Sequence, residues 1–334
     1  MVCLHPIEAY FSKSINPSGK RSLVFNRLDA FDSENPVYIA CGQCIGCRLE
    51  RSRQWATRCV LESQLHKENT FLTLTYNDEF LPKDGSLHKE HLQLFMKRLR
   101  RKLDYFGFTS KVRFFACGEY GSLYERPHYH IILFGFRPHD LKRIGGNKLG
   151  NSYFSSEFIS ALWPFGYNMC ADVSFESCAY VARYVTKKIT GEAAESHYKG
   201  RLPEFTLMSR RPGIAADWLH KYQKDVYPND YIIIRGDKKV RPPKYFDSII
   251  EKECPELFDF LKSKRLDDSL LALDRKIDEY SVDCSFENFL ISAHNYISFT
   301  AAKTRSFQNQ VLPVLEELQN EKVKLLKRKL EEST

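Results

Sequence analysis

The sequence predicts an α+β fold built on an antiparallel sheet, and three observations predict it. Four short apolar or alternating segments have strand length, two amphipathic stretches of helical period separate them, and the middle two strand segments are joined by a polar turn too short for a parallel crossover. Region 1–69 opens as a loop-rich segment and reaches CGQCIGCRLERSRQWATRCVLESQLHK, a cysteine knuckle feeding a basic helix with Leu49, Ala56, Val60 and Ser63 inward. TFLTLTY (70–76) alternates as a half-buried strand should, and LPKDGS is a turn. From Lys89 the residues Leu92, Phe95, Met96, Leu99 and Leu103 recur at helical spacing, with Lys97, Arg98, Arg100 and Arg101 on the other faces. KVRFFAC (111–117) and HYHIILFG (128–135) read as a hairpin across GEYGSLYERP. A poorly patterned loop around GGNKLGNS leads to a short helix ending near ALWPFG; YNMCADVS is a fourth strand, and FESCAYVARYVTKKI a helix stopped by Gly191. The order β-α-β-β-α-β plus a helix matches a ferredoxin-like split βαβ, with helices mostly on one side of the sheet.

Beyond Gly191 the pattern weakens. GIAADWLHKY reads as helix, DYIIIRG as strand, and RPPKY as a boundary near 245. Residues 246–334 read as helices, with Val311, Leu315, Leu318 and Leu325 on one stripe of a basic final helix. The expected organisation is an N-terminal knuckle and helix (1–69), a central domain (70–245) and a helical C-terminal extension (246–334).

With 334 residues the chain can bury a sizeable core, and no run of eighteen apolar residues exists to span a membrane. MVCLHPIEAYF has neither the basic nor the apolar region of an export signal, so a soluble, unexported protein is expected. Ten cysteines in such a chain should stay reduced, which turns attention from disulfides to metal ligation. The balance of 50 Lys+Arg against 42 Asp+Glu is modestly basic. Its clustering in CRLERSRQWATRC and MKRLRRKL, beside 18 Tyr and 24 Phe, suits an unpaired nucleic acid strand. Arg48, Arg51, Arg53, Arg58, Lys97, Arg98, Arg100 and Arg101 are the candidate strand contacts.

Three constellations carry chemistry. His128 and His130 alternate along a strand, so both imidazoles share one face with Ile132 and Phe134, one pleat apart. Such a pair can chelate a divalent ion, and Glu119 is the candidate oxygen ligand because the hairpin returns the end of the preceding strand beside His128. Tyr180 and Tyr184, four apart in an uninterrupted helical pattern, share one helix face; Arg183 and Lys187 follow each by three and place a cation beside each phenol, which favours phenolate and helps hold a phosphate. Two other pairs at that spacing, Tyr120/Tyr124 and Tyr227/Tyr231, span Gly121 and Pro228 and read as turns. Cys41, Cys44 and Cys47 form the least accidental signal. They suit a structural zinc whose fourth ligand is Cys3, then His5, then Cys59 in order of preference, with an iron–sulfur cluster as the alternative.

FLTLTY, PHYHIILFG and YVARYVTKK, in that order and spacing, resemble the three motifs of HUH endonucleases, the rolling-circle replication initiators. CGQCIGCRLERSRQWATRC, CGEYG…RPHYH and LWPFGY…YVARYVTKK resemble the replication initiators of gokushoviruses, single-stranded DNA phages of the Microviridae, over roughly residues 1–245. The resemblance implies an HUH domain in which His128, His130 and Glu119 hold catalytic Mg²⁺ or Mn²⁺ and Tyr180 and Tyr184 are paired nucleophiles. Lys187 matches the lysine after a catalytic tyrosine; Arg183 stands where a lysine is common. It implies nicking of single-stranded origin DNA through a 5′-phosphotyrosine, a 3′-hydroxyl primer, strand transfer and circularisation, with host helicase and polymerase as partners in the bacterial cytoplasm. Thr73 and Thr75 fall in the first motif and are expected to shape the sheet. A plasmid mobilisation relaxase and a non-catalytic, zinc-stabilised DNA-binding regulator are the alternatives; a His-motif nucleotide hydrolase would want a third histidine where Ile132 stands.

Overall fold

The computed structural model describes residues 3–121, 124–146, 150, 152–183, 193–234, 236–281 and 320. They fall into two compact units, one within 3–50 and the other within 51–281. The first holds a three-stranded antiparallel sheet, order β2-β1-β3, made of β1 (Ile7–Ile15), β2 (Arg21–Val24) and β3 (Val37–Ile39). This sheet was not legible in a segment read as loop-rich: β2 and β3 are short and bury none of their residues fully.

Helix α1 (Ile45–Ser63) leads into β4 (Asn69–Tyr76), α2 (Lys89–Tyr105), β5 (Arg113–Tyr120) and β6 (Pro127–Phe134). Strands β7 (Lys142–Gly146) and β8 (Ser152–Ser155) follow, then α3 (Glu157–Leu162), β9 (Gly166–Ala171) and α4, described over Phe175–Arg183. Next come α5 (Ala193–Tyr198), β10 (Phe205–Met208) and α6 (Ala216–Val226). A small ladder of β11 (Ile232–Ile233) and β12 (Lys239–Val240), then α7 (Lys244–Glu253) and α8 (Pro255–Ser281), complete the described chain. Seven strands form one sheet in the order β10-β5-β6-β4-β9-β8-β7. Its centre carries the four anticipated strands, β5-β6-β4-β9, each antiparallel to its neighbour. The fold is therefore α+β with a large antiparallel sheet, wider by three strands than the sequence suggested. β7 is exposed at every position and ends in two glycines, so it has no alternation to read. β10 is a four-residue, half-buried edge strand on β5.

Every central strand buries both faces, and the alternation of its side chains feeds two cores. Phe71, Phe115, Ile132 and Phe134 pack with Leu61 of α1, Val181 of α4, Leu219 of α6 and Phe246 of α7. Leu72, Leu74, Ala116, Ile131 and Leu133 pack with Leu92, Phe95, Met96 and Leu99 of α2 and Ile159 of α3. Helices thus cover both faces rather than mostly one, because the segments beyond Gly191 supply a layer that their weak periodicity concealed. Burial of each large apolar side chain contributes about 1.5–3 kcal/mol. DYIIIRG yields only the two residues of β11, and the stripe Val311, Leu315, Leu318 and Leu325 lies outside the described residues. No helix among the described residues is long and apolar enough to cross a membrane.

Local chemistry positions the elements around the histidines. Ser174 and Ser177 exchange side chain–backbone hydrogen bonds (2.8 and 3.2 Å) that close the N-terminus of α4. Gly166 lets β9 approach β4 closely: a Cβ there would lie 2.4 Å from the Thr75 carbonyl oxygen.

Candidate active site

The ladder register brings the predicted metal ligands together. Glu119 lies directly opposite His128 across β5 and β6, and Cys117 opposite His130. β4 continues the rows, Thr75 facing His128 and Thr73 facing His130, and β9 adds Tyr167 opposite Thr75. All these side chains point to the α4 face of the sheet. One carboxylate oxygen, Glu119 Oε1, stands 2.7 Å from His128 Nε2 and 2.8 Å from His130 Nε2. Donor atoms in adjacent positions of an octahedral site, with bonds of about 2.1 Å, stand about 3.0 Å apart, so the trio fits a single small divalent ion. Glu119 and His130 are buried while the His128 side chain keeps 16 % of its surface, which leaves the site an open side.

The outer contacts orient both rings. His128 Nδ1 donates to the Arg126 carbonyl oxygen at 3.0 Å, and His130 Nδ1 lies 2.9 Å from the Thr73 hydroxyl. With Nδ1 carrying the proton in each ring, both Nε2 lone pairs face Glu119, the arrangement a cation needs. Burial pushes the Glu119 carboxyl upward, but hydrogen bonds from His128 and then His130 outweigh it and hold the pKa at about 2. The group is anionic at neutral pH. Thr73 therefore has a specific partner in addition to shaping the sheet, which the sequence could have signalled only through its register against His130.

Tyr180, fifty residues later in the chain, reaches the same place. Its ring meets that of His130 edge-on at 5.2 Å between centroids, and Phe71 packs beside both. The Arg183 guanidinium stands 6.0 Å from the centre of the Tyr180 ring. Tyr184 and Lys187 lie outside the described residues. The two decoy pairs behave as packing residues: Tyr120 and Tyr227 are buried, their hydroxyls donating to the Leu202 carbonyl oxygen (2.7 Å) and to Asp247 (3.1 Å). Tyr167, 69 % exposed on the floor two strands from His128, went unnoticed because it opens a strand whose apolar pattern drew the attention.

The predicted strand contacts divide. Arg58 is buried, 9 % exposed: its Nε donates to the Ile214 carbonyl oxygen (3.1 Å) and its guanidinium is sandwiched between Trp55 (4.1 Å) and Tyr245 (3.9 Å). It is a structural residue, since its contacts leave it no surface for a phosphate. Lys97, Arg98, Arg100 and Arg101 are exposed on α2, across the sheet from the histidines, and cannot line the same cleft. Arg51 is exposed and Arg53 half-buried, with Nη1 donating to the Arg241 carbonyl oxygen at 3.0 Å; both lie on α1, on the histidine face, and Arg48 is half-buried.

In the first unit Cys3, Cys41, Cys44 and Cys47 gather with all four sulfurs within 4.8 Å of one another. The Cys3–Cys41, Cys3–Cys44 and Cys41–Cys47 separations are 3.6, 3.9 and 4.0 Å. Four thiolates about 2.3 Å from one tetrahedral ion stand about 3.8 Å apart, so the cluster is compatible with a single bound metal. Backbone N–H groups of Leu4, Cys41 and Cys44 donate to its sulfurs at 3.2–3.3 Å. Cys3 supplies the fourth position; Cys59 is buried in the core beneath the sheet.

A family model for the ORF2-type replication-associated protein matches residues 69–189, the stretch that carries β4, the histidine hairpin and α4. Replication-associated protein VP4 of Bdellovibrio phage phiMH2K is 33% identical over 260 residues, 77% of this chain and 79% of that protein. Replication-associated protein ORF2 of Spiroplasma virus 4 is 29% identical over 328 residues, 93% of this chain and 96% of that one. Replication-associated protein ORF4 of Chlamydia phage 1 is 31% identical over 227 residues, 66% and 56% of the two chains. No solved structure matches. Fold, site and relatives together define a phage replication-associated protein. Within that class, the chain belongs to the gokushovirus-type replication initiators that its motifs resemble.

Proposed function

We propose that this protein initiates rolling-circle replication by cutting and rejoining single-stranded origin DNA through tyrosine, as an HUH endonuclease and strand transferase. The observation that carries the reading is the arrival of Tyr180 against His130, beside Glu119 and His128, from a helix far along the chain. The antiparallel centre β5-β6-β4-β9, numbered by its own strands 2-3-1-4, supports a ferredoxin-like domain.

Glu119, His128 and His130 would hold Mg²⁺ or Mn²⁺, and the bound ion supplies positive charge that polarises the non-bridging oxygens of the scissile phosphate. Arg126 and Thr73 keep the two imidazoles in register for that task. The deprotonated phenol oxygen of one tyrosine attacks phosphorus in line; the P–O3′ bond breaks, and the products are a 5′-phosphotyrosine and a strand ending in a 3′-hydroxyl. Arg183 stabilises the negative charge at Tyr180 and the phosphate, and Lys187 does the same for Tyr184. The 3′-hydroxyl primes a host polymerase while a helicase opens the template. The second tyrosine cuts the regenerated origin, and the released 3′-hydroxyl attacks the first phosphotyrosine, which frees the phenol and closes the circle. Tyr167 offers an unpaired base a face to stack on, and Arg51 and Arg53 are phosphate contacts. The four cysteines hold Zn²⁺ in a structural role, because sulfurs this close together suit one ion better than a cluster of several.

The test is a covalent one. Incubated with labelled single-stranded origin DNA and Mn²⁺, the wild type forms an adduct that survives SDS. Tyr180→Phe and Tyr184→Phe each retain adduct formation and the double variant loses it. An undiminished adduct in the double variant overturns the tyrosine assignment, and DNA binding with no adduct in the wild type points to the regulator instead.

A further inference from the structure

We propose that the groove between α2, the start of β5 and the end of β10 is a second DNA-binding surface, distinct from the cutting site, that holds the backbone of single-stranded DNA. The groove encloses about 660 Å³ and is lined by Arg100, Lys111, Arg210 and Arg211, all exposed, with Phe114 in its wall. An adjoining recess on α2 adds Lys97 and Arg101. Asp104 is the one acidic residue lining either of them. Arg113 also reaches the wall, but it is buried and committed to Glu62.

Among the described residues none of the six cations forms an ion pair. Like charges gathered without partners repel one another and do nothing for the folded state, so the cluster is explained by an anion that comes from outside. Four of the six are arginines, whose planar forks match phosphate oxygens two at a time. The polymer is single-stranded because flat apolar faces are interleaved with the charges. Arg100 lies 5.5 Å from the centre of the Phe114 ring, and at the end of α2 Tyr105 is 82 % exposed with Lys102 5.8 Å from its ring. Unpaired bases stack on such rings, whereas a duplex keeps its bases inside.

The surface lies across the sheet from the histidines and at the far end of β5. Six residues of extended chain separate Arg113 from Glu119, about 20 Å. A strand bound here is therefore held away from the reacting phosphate. In a cut-and-rejoin reaction such a hold retains the DNA while its ends are open. That the polymer is DNA rests on the reading of the previous subsection; the groove and its charge do not.

The experiment uses the full chain and the triple variant Lys111→Gln, Arg210→Gln, Arg211→Gln, whose side chains are exposed and outside the cutting site. Fluorescence anisotropy with a thirty-nucleotide oligothymidylate is read over a series of salt concentrations, with duplex DNA and oligouridylate as competitors. The variant binds at least tenfold more weakly at low salt, and its slope of log K against log salt falls by about 2, the loss of three single-strand phosphate contacts. Adduct formation on a saturating short origin oligonucleotide is unchanged, which shows the variant to be folded. Equal affinities and slopes in the two proteins overturn the proposal, as does a deficit confined to duplex DNA or to RNA. A wild type that binds oligothymidylate but forms no adduct sinks the cutting chemistry and leaves the groove standing.

Discussion

At the scale of single residues, the two imidazoles of the candidate site are oriented by different means. His128 leans on a main-chain carbonyl, while His130 leans on the Thr73 side chain. Replacing Thr73 with Val keeps the shape and removes the hydroxyl, so Mn²⁺ affinity measured by calorimetry should fall about 10- to 100-fold, as is usual for an outer-shell partner. Thr73→Ser should restore it; unchanged affinity in the valine variant would mean that packing alone holds the ring. The histidine pair was readable in the sequence because a strand's period of two puts alternate residues on one face. Glu119 was readable only through the hairpin. Tyr167 and the partnership of Thr73 were not, since both depend on which strand lies beside which, and that is fixed by contacts between segments a hundred residues apart.

At the scale of elements, the strands and helices with strong periodicity, β4, α2, β6 and α4, were legible, and those that depend on neighbours were not. β7 and β10 are strands because a sheet edge was available to them. Arg58 misled for a related reason: a basic run on a helix looks solvated until another element covers it, as α7 does through Tyr245. The first unit has few fully buried side chains, so the cysteine cluster is its main fastener. Purified protein should contain zinc in near-equimolar amount by elemental analysis, and Cys3→Ala should lower it. A strong chelator should speed amide exchange within residues 3–50 and leave β4 to β6 protected. Zinc-free protein with the same exchange rates would remove the metal from the account of this unit.

At the scale of the whole molecule, the second unit is tied together by one buried carboxylate. Glu62 on α1 accepts from the Arg113 guanidinium of β5, from the Ala215 N–H before α6 (2.6 Å), and from His66 (3.3 Å). Removing it leaves Arg113 charged and unpaired in the interior, so Glu62→Ala should cost about 3–5 kcal/mol in urea unfolding. Burial raises the Glu62 carboxyl, but the hydrogen bonds from His66, Ala215 and Arg113 lower it further, and the net shift is downward. A depressed carboxyl stabilises the fold above its unfolded value of about 4.3, and that stabilisation is lost as pH falls through the lower folded value. The gap in urea midpoint between wild type and Glu62→Gln should therefore be widest near neutrality and shrink below pH about 4; a constant gap would assign the effect to shape rather than charge. The cation-holding atoms all belong to adjacent rungs of one ladder, whereas Tyr180 rides on a separate helix that merely rests against it. The two halves of the machinery can thus part company. Fraying α4 by a single turn would withdraw the nucleophile while the ion stays seated, so the timing of a cut would follow the breathing of one helix rather than the arrival of its metal.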